Sequence, residues 1–125
     1  MIESYRDLTV WKKAMDLAEM VFVLTSRFPK EQRYGLSAQM QRSANSVPSN
    51  IAEGHARDFT KEYLYHLSVS LGSIAEMETH LILCGRLKLL SEDEVTKALG
   101  LADEIGKMIR GIQRGLKRKT ELAFS

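Results

Sequence analysis

In four separate stretches of this chain, apolar residues return at alternating steps of three and four, and that spacing leaves little choice of fold. The first stretch carries Val10, Ala14, Leu17, Val21, Leu24 and Phe28 in step, and the second Leu36, Met40, Ala44, Val47 and Ile51. The third runs through Leu64, Leu67, Leu71, Ile74 and Leu81 with Glu78 in the seam, and the fourth through Val95, Ala98, Ala102, Ile105, Ile109, Ile112 and Leu116. Such an alternation keeps every apolar side chain on one side of a helix and is the seam of a helical bundle. Strands would need alternation by two. The apolar set is mostly Leu, Ala, Met and Ile, and only 2 prolines occur in 125 residues, so propensity agrees with periodicity.

The helices are predicted at about 9–27, 32–55, 60–85 and 91–118. Asp7 or Thr9 suits the start of the first, and Phe28-Pro29 closes it, because a residue before proline is pushed out of α geometry. Pro48, inside the second helix, removes a backbone bond and predicts a kink. Gly54 fits either the end of that helix or a place where another backbone comes close. Thr60 reads as the N-cap of the third helix and Gly85 as its terminator, while Ser91 to Glu94 reads as a capping box for the fourth. Connections of only about three to six residues force neighbouring helices to run antiparallel. The expectation is therefore all-α: an antiparallel up-down-up-down four-helix bundle, one domain spanning residues 1–125.

Several functional classes fall away. Cys84 is the only cysteine, so no internal disulfide or CxxC metal site is possible, and a lone thiol in an apolar stretch reads as a small buried hydrophobe. No window approaches a membrane span, and the charged first residues lack a signal peptide's apolar core, so a soluble cytoplasmic protein is expected. Glu62 with His66 and Glu76 with His80 resemble ligand pairs, but both lie on one helix and cannot surround a site in the bundle core. Phosphate-loop, dinucleotide and hydrolase signatures are missing. No enzyme activity, cofactor, metal or small-molecule substrate is expected.

Three groups of residues stand out instead. Lys107, Arg110, Arg114, Lys117, Arg118 and Lys119 form an acid-free cationic run in a chain of net charge +2, so the rest is net acidic. Lys107, Arg110, Arg114 and Lys117 or Arg118 share a face roughly opposite the fourth seam, and the run suits the phosphate backbone of RNA or DNA, or another acidic partner. They also suit a solvated face that complements the negative end of its own helix dipole. No aromatic residue interleaves them. Beside its seam, the first helix carries a second row of Trp11, Met15, Ala18 and Phe22, and the fourth has Gly111 and Gly115 four residues apart. A broad apolar band and a glycine pair suggest contact with a further copy of the chain, or else a wide core with tolerated glycines. Finally, Glu78 lies in the third seam, with Arg42, Asn50 and Glu53 near the second. An antiparallel second and third helix would bring Arg42 to Glu76 or Glu78, Asn50 to Ser70, and Glu53 near His66; a buried carboxylate there must be paired.

Some residues are recognisable in their order: Leu8-x-x-Trp11-Lys12-Lys13-Ala14, Phe28-Pro29-Lys30-Glu31-x-x-Tyr34-Gly35-Leu36, Gln39-x-x-Arg42, Val47-Pro48-x-Asn50-Ile51-Ala52-Glu53-Gly54 and Gly72-Ser73-x-x-Glu76. Together they resemble the four-helix bundle proteins encoded in intervening sequences of bacterial 23S ribosomal RNA genes, from Tyr5 to about Arg118. The resemblance implies antiparallel bundles that assemble into a ring-shaped pentamer, without an established activity. The related accessory proteins of diversity-generating retroelements are similar in fold, and a basic surface that binds nucleic acid is implied for them. The family motif falls on Arg42, Asn50, Glu53, Gly54, Gly72, Ser73 and Glu76, which read as residues of fold and registry. Gln32-Arg33 departs from the family, which usually has a further acid before Tyr34. Two functions remain open: a homo-oligomer that binds nucleic acid through the fourth helix, and an adaptor that docks another protein.

Overall fold

The structure, a computed structural model, describes the backbone of residues 2–124 and the side chains of residues 2–122; the first and last residues of the expected domain lie outside that range. Among the described residues there are four α-helices and no strand: α1 (Thr9–Thr25), α2 (Ala38–Ala56), α3 (Thr60–Arg86) and α4 (Glu92–Phe124). Short turns of 3-10 helix at Tyr5–Asp7 and Lys30–Gln32, and a π turn at Arg33–Ser37, complete the chain.

Pairs of side chains give the directions. Between α2 and α3, Arg42 reaches Glu76, Ser46 reaches Ser73 and Asn50 reaches His66, so one number falls as the other rises. Between α3 and α4, Ser68 meets Gln113, and a side chain on Gly85 would meet Val95. Lys13 pairs with Glu104 and Arg27 with Glu94, which sets α1 antiparallel to α4 as well. Each helix thus packs on its neighbours in sequence, and α4 closes back on α1. The bundle is up-down-up-down.

All the seam residues of α1 from Val10 to Leu24 are buried, as are Met40, Ala44, Val47 and Ile51 of α2, Leu67, Ile74 and Leu81 of α3, and Ala98, Ala102, Ile105 and Ile109 of α4. Burying a leucine or isoleucine side chain contributes about 1.5–3 kcal/mol, so this core carries the fold. Cys84 belongs to it, with its thiol 3.5 Å from the Met40 sulfur.

The ends of the helices differ in detail from expectation. The N-cap of α1 is Leu8, which makes no side-chain bond; Asp7 instead closes a box with Ser4 around the preceding turn. Helix α2 begins at Ala38 rather than near Gln32, because the 3-10 and π turns around Gly35 occupy the intervening residues. It runs without a break through Pro48, which is buried. Beside the proline, side chains contact neighbouring carbonyls: Asn50 donates to Ser46 at 2.9 Å and Ser70 to Val47 at 2.9 Å. Thr60 is the first helical residue of α3, not its cap, which is Phe59. The chain leaves α3 through Lys88, whose φ of 62° is left-handed, not through Gly85, which instead lies against Val95. The capping box of α4 forms: the Glu94 amide donates to the Ser91 hydroxyl at 3.1 Å, and the Ser91 amide to the Glu94 carboxylate at 2.9 Å.

Candidate functional site

Helix α4 is the longest element and continues to Phe124, well beyond the expected end near residue 118. Its outer face carries Lys107, Arg110, Arg114, Lys117 and Arg118, while Lys119 falls to one side of that face, three residues past Leu116; all six are exposed. Lys107 pairs with Asp103 at 3.1 Å one turn away; among the described residues the other five make no ion pair. Near Arg110 a cavity of about 140 Å³ opens between α3 and α4, lined among others by Lys107, Arg110, Asp103 and the half-buried Glu78. Glu78 therefore faces α4 and takes no part in a bond with Arg42.

The α2–α3 seam holds a ladder of polar groups. Arg42 and Glu76 approach to 3.6 Å, with side chains 71% and 44% exposed, so the pair is a surface bridge and not the expected buried one. Surface bridges of this kind contribute about 0–1 kcal/mol. Glu76 also meets His80 at 3.4 Å. Further along, Ser73 bonds Ser46 at 2.7 Å, and the Asn50 amide oxygen lies 2.9 Å from His66 Nδ1. Asn50 thus meets His66 rather than Ser70, because helix rotation turns the Ser70 hydroxyl onto the Val47 carbonyl. Glu53 stands 4.0 Å from His66 and 3.2 Å from Arg57, which reaches on to Glu62 at 3.3 Å. Gly54 is buried where α3 crosses: a β-carbon there would stand 2.7 Å from the His66 β-carbon. Gly72 is exposed with open space around it.

The second row of α1 divides. Ala18 is buried in the core, Trp11 is half-buried with its ring edge-on to Tyr5, and Met15 and Phe22 remain 44% and 40% exposed. On α4, Gly115 faces open space and Gly111 meets only the Arg114 guanidinium, so the rest of the bundle does not pack on either.

Two exposed rings were not singled out from sequence. Phe59 and Tyr65, at the α2–α3 turn and in the first turns of α3, are 67% and 65% exposed. They are distant in sequence from the cations of α4, and only the antiparallel packing of α3 on α4 brings them to the same end of the bundle. Large exposed aromatics at a polar turn were the available signal.

Among the described residues no three metal-ligating side chains cluster, and no helix is long and apolar enough to cross a membrane. Burial pushes the Cys84 thiol up to about 11, which leaves it protonated and poorly nucleophilic at neutral pH.

These features define a four-helix bundle with a cationic ridge on its last helix. The chain belongs to the 23S rRNA-intervening sequence protein family, which it matches over residues 6–111. It is also similar to a solved structure from Bacteroides thetaiotaomicron VPI-5482, a protein of unknown function from the S23 ribosomal protein family. That likeness has a TM-score of 0.79 at 24% identity and covers 84% of this chain and 98% of the other, which establishes shared fold alone. No curated protein matches the chain.

Proposed function

We propose that this protein is a non-enzymatic, homo-oligomeric cytoplasmic bundle that binds nucleic acid, without sequence preference, along the outer face of α4. The reach of that helix carries the reading. A dipole interaction falls off within the last turn of a helix. Because α4 runs to Phe124, its last turn contains no basic residue, and Lys107 to Arg118 lie too far inside to be explained as dipole partners. Arg110, Arg114 and Lys117 recur about once per turn, as contacts tracking a phosphate backbone would. The exposed Met15 and Phe22, with the open Gly115, support contact between copies of the chain. The family's name points to a gene location and does not itself imply membership of the ribosome.

A labelled RNA and a labelled DNA, titrated at low and moderate salt, test the reading. Binding should weaken steeply with salt, and each cation replaced should lower the slope of log affinity against log salt by about 1. The combined change of Arg110, Arg114 and Lys117 to alanine should abolish binding while the helical spectrum is kept. Absence of binding at low salt would remove the proposal. It would favour the adaptor reading, which draws support from Ile82, Leu83 and Leu87, 46%, 41% and 54% exposed near the α3–α4 turn.

A further inference from the structure

We infer that the nucleic acid taken by this face is single-stranded, with unpaired bases stacked on Tyr65 and Phe59 while α4 holds the phosphates; the inference rests on the nucleic-acid reading above. The register between the helices is the first support. Gly85 lies against Val95 and Ser68 bonds Gln113 at 3.2 Å, so one antiparallel register runs along the whole α3–α4 contact. One turn before Ser68, Tyr65 is therefore level with Leu116 and Lys117, one turn after Gln113. Phe59 lies further along, beside the last turns of α4.

Orientation is the second support. At about 100° per residue, Tyr65 and Lys61 fall on the solvent side of α3, away from buried Leu67 and Ser70. Lys117 and Arg110 fall on the solvent side of α4, at the edge nearest α3. Tyr65 stands at the outer corner of α3, and packed helices are about 8–10 Å apart, so a single strand lying along the α4 cations can reach the ring. Around Tyr65, an open groove of about 490 Å³ is lined by Arg57, Lys61, Glu62 and His66. Its carboxylate is already paired, Glu62 to Arg57 at 3.3 Å, which leaves Lys61 to meet a phosphate. An edge contact with His66, centroids 5.3 Å apart, sets the tilt of the Tyr65 ring.

A duplex presents phosphates but keeps the faces of its bases inside the stack. A single strand can turn them outward onto an aromatic ring, and any base will serve, since each has a π-face. A surface that joins exposed rings to a row of cations is complementary to the second and only half-used by the first.

The test is a labelled single strand of roughly a dozen nucleotides, its duplex, and an abasic sugar-phosphate strand of equal charge, titrated at low salt. The single strand should bind most tightly. Tyr65→Leu and Phe59→Leu should each weaken it by roughly tenfold, leave the salt slope unchanged, and leave the abasic strand unaffected. Tyr34→Leu should change nothing, because that ring, 89% exposed, precedes α2 at the opposite end of the bundle. Equal binding of the three probes, lost only when Arg114 and Lys117 become alanine, would overturn this inference and leave the proposed function standing. Failure of all three to bind would overturn both.

Discussion

Gly54 and Gly72 belong to the same polar seam, yet the structure assigns them opposite consequences. At Gly54 a β-carbon would stand 2.7 Å from the His66 β-carbon and 3.0 Å from the Tyr63 ring, so α2 and α3 could not keep their approach. At Gly72 nothing lies within 4 Å, and glycine there costs helix stability without gaining a contact. Gly54→Ala should destabilise the fold by about 1–3 kcal/mol, the range for forcing atoms into a packed site. Gly72→Ala should stabilise the isolated bundle by up to about 1 kcal/mol. Urea unfolding of both variants checks the pair, and a neutral Gly54→Ala would mean that the helices do not meet as described. His66 and Asn50, held 2.9 Å apart beside Gly54, depend on the same approach.

At the scale of the element, α4 has a pH-dependent start. The backbone bond from Ser91, followed by the side-chain bond from Arg27, holds the Glu94 carboxyl below the ordinary glutamate range. A carboxyl lowered in the folded state adds stability above its unfolded value of about 4.3, and that stability is lost as pH falls through the lowered value. Glu94→Gln should therefore lower the melting temperature at neutral pH, and the gap from the parent should close progressively below about pH 4.3. Ser91→Ala removes the reciprocal bond and should cost about 1 kcal/mol at neutral pH. Thermal melts by circular dichroism across that range decide the matter; a gap independent of pH would show that the carboxylate does not cap α4.

For the whole molecule, the distribution of surface chemistry bears on assembly. Phe22 and Val23 approach the end of α1, and Ile82, Leu83 and Leu87 the end of α3, so these five exposed apolar groups gather toward one end of the bundle, whereas Phe59 and Tyr65 stand at the other. The acid-free run of α4 occupies the other end. Segregation of this kind lets copies join through apolar surface while the cations stay open to a polyanion. The change of Met15 and Phe22 together to glutamate should reduce the sedimenting mass toward that of one chain and leave helicity intact. An unchanged mass would place any contact between copies elsewhere on the bundle.

What the sequence determined by itself was local. The three-and-four spacing of Val95 through Leu116 specifies a helix and its buried side wherever the segment ends up, and Ser91 with Glu94 marks its start, because caps form within a single turn. Short connections then require antiparallel neighbours at the α2–α3 and α3–α4 turns, whereas twelve residues separate α1 from α2, more than the expected three to six. The exact meetings across helices were legible only in part. Counting residues about the α2–α3 turn brought Arg42 to Glu76 or Glu78, and the structure pairs it with Glu76. Counting could not tell that Glu78 turns toward α4 or that Asn50 meets His66. Those depend on each helix's rotation and axial position, which are set by close approaches such as α3 on Gly54 and Val95 on Gly85. A side chain's period is written in its own segment, but its neighbour is chosen by the packing of the whole core.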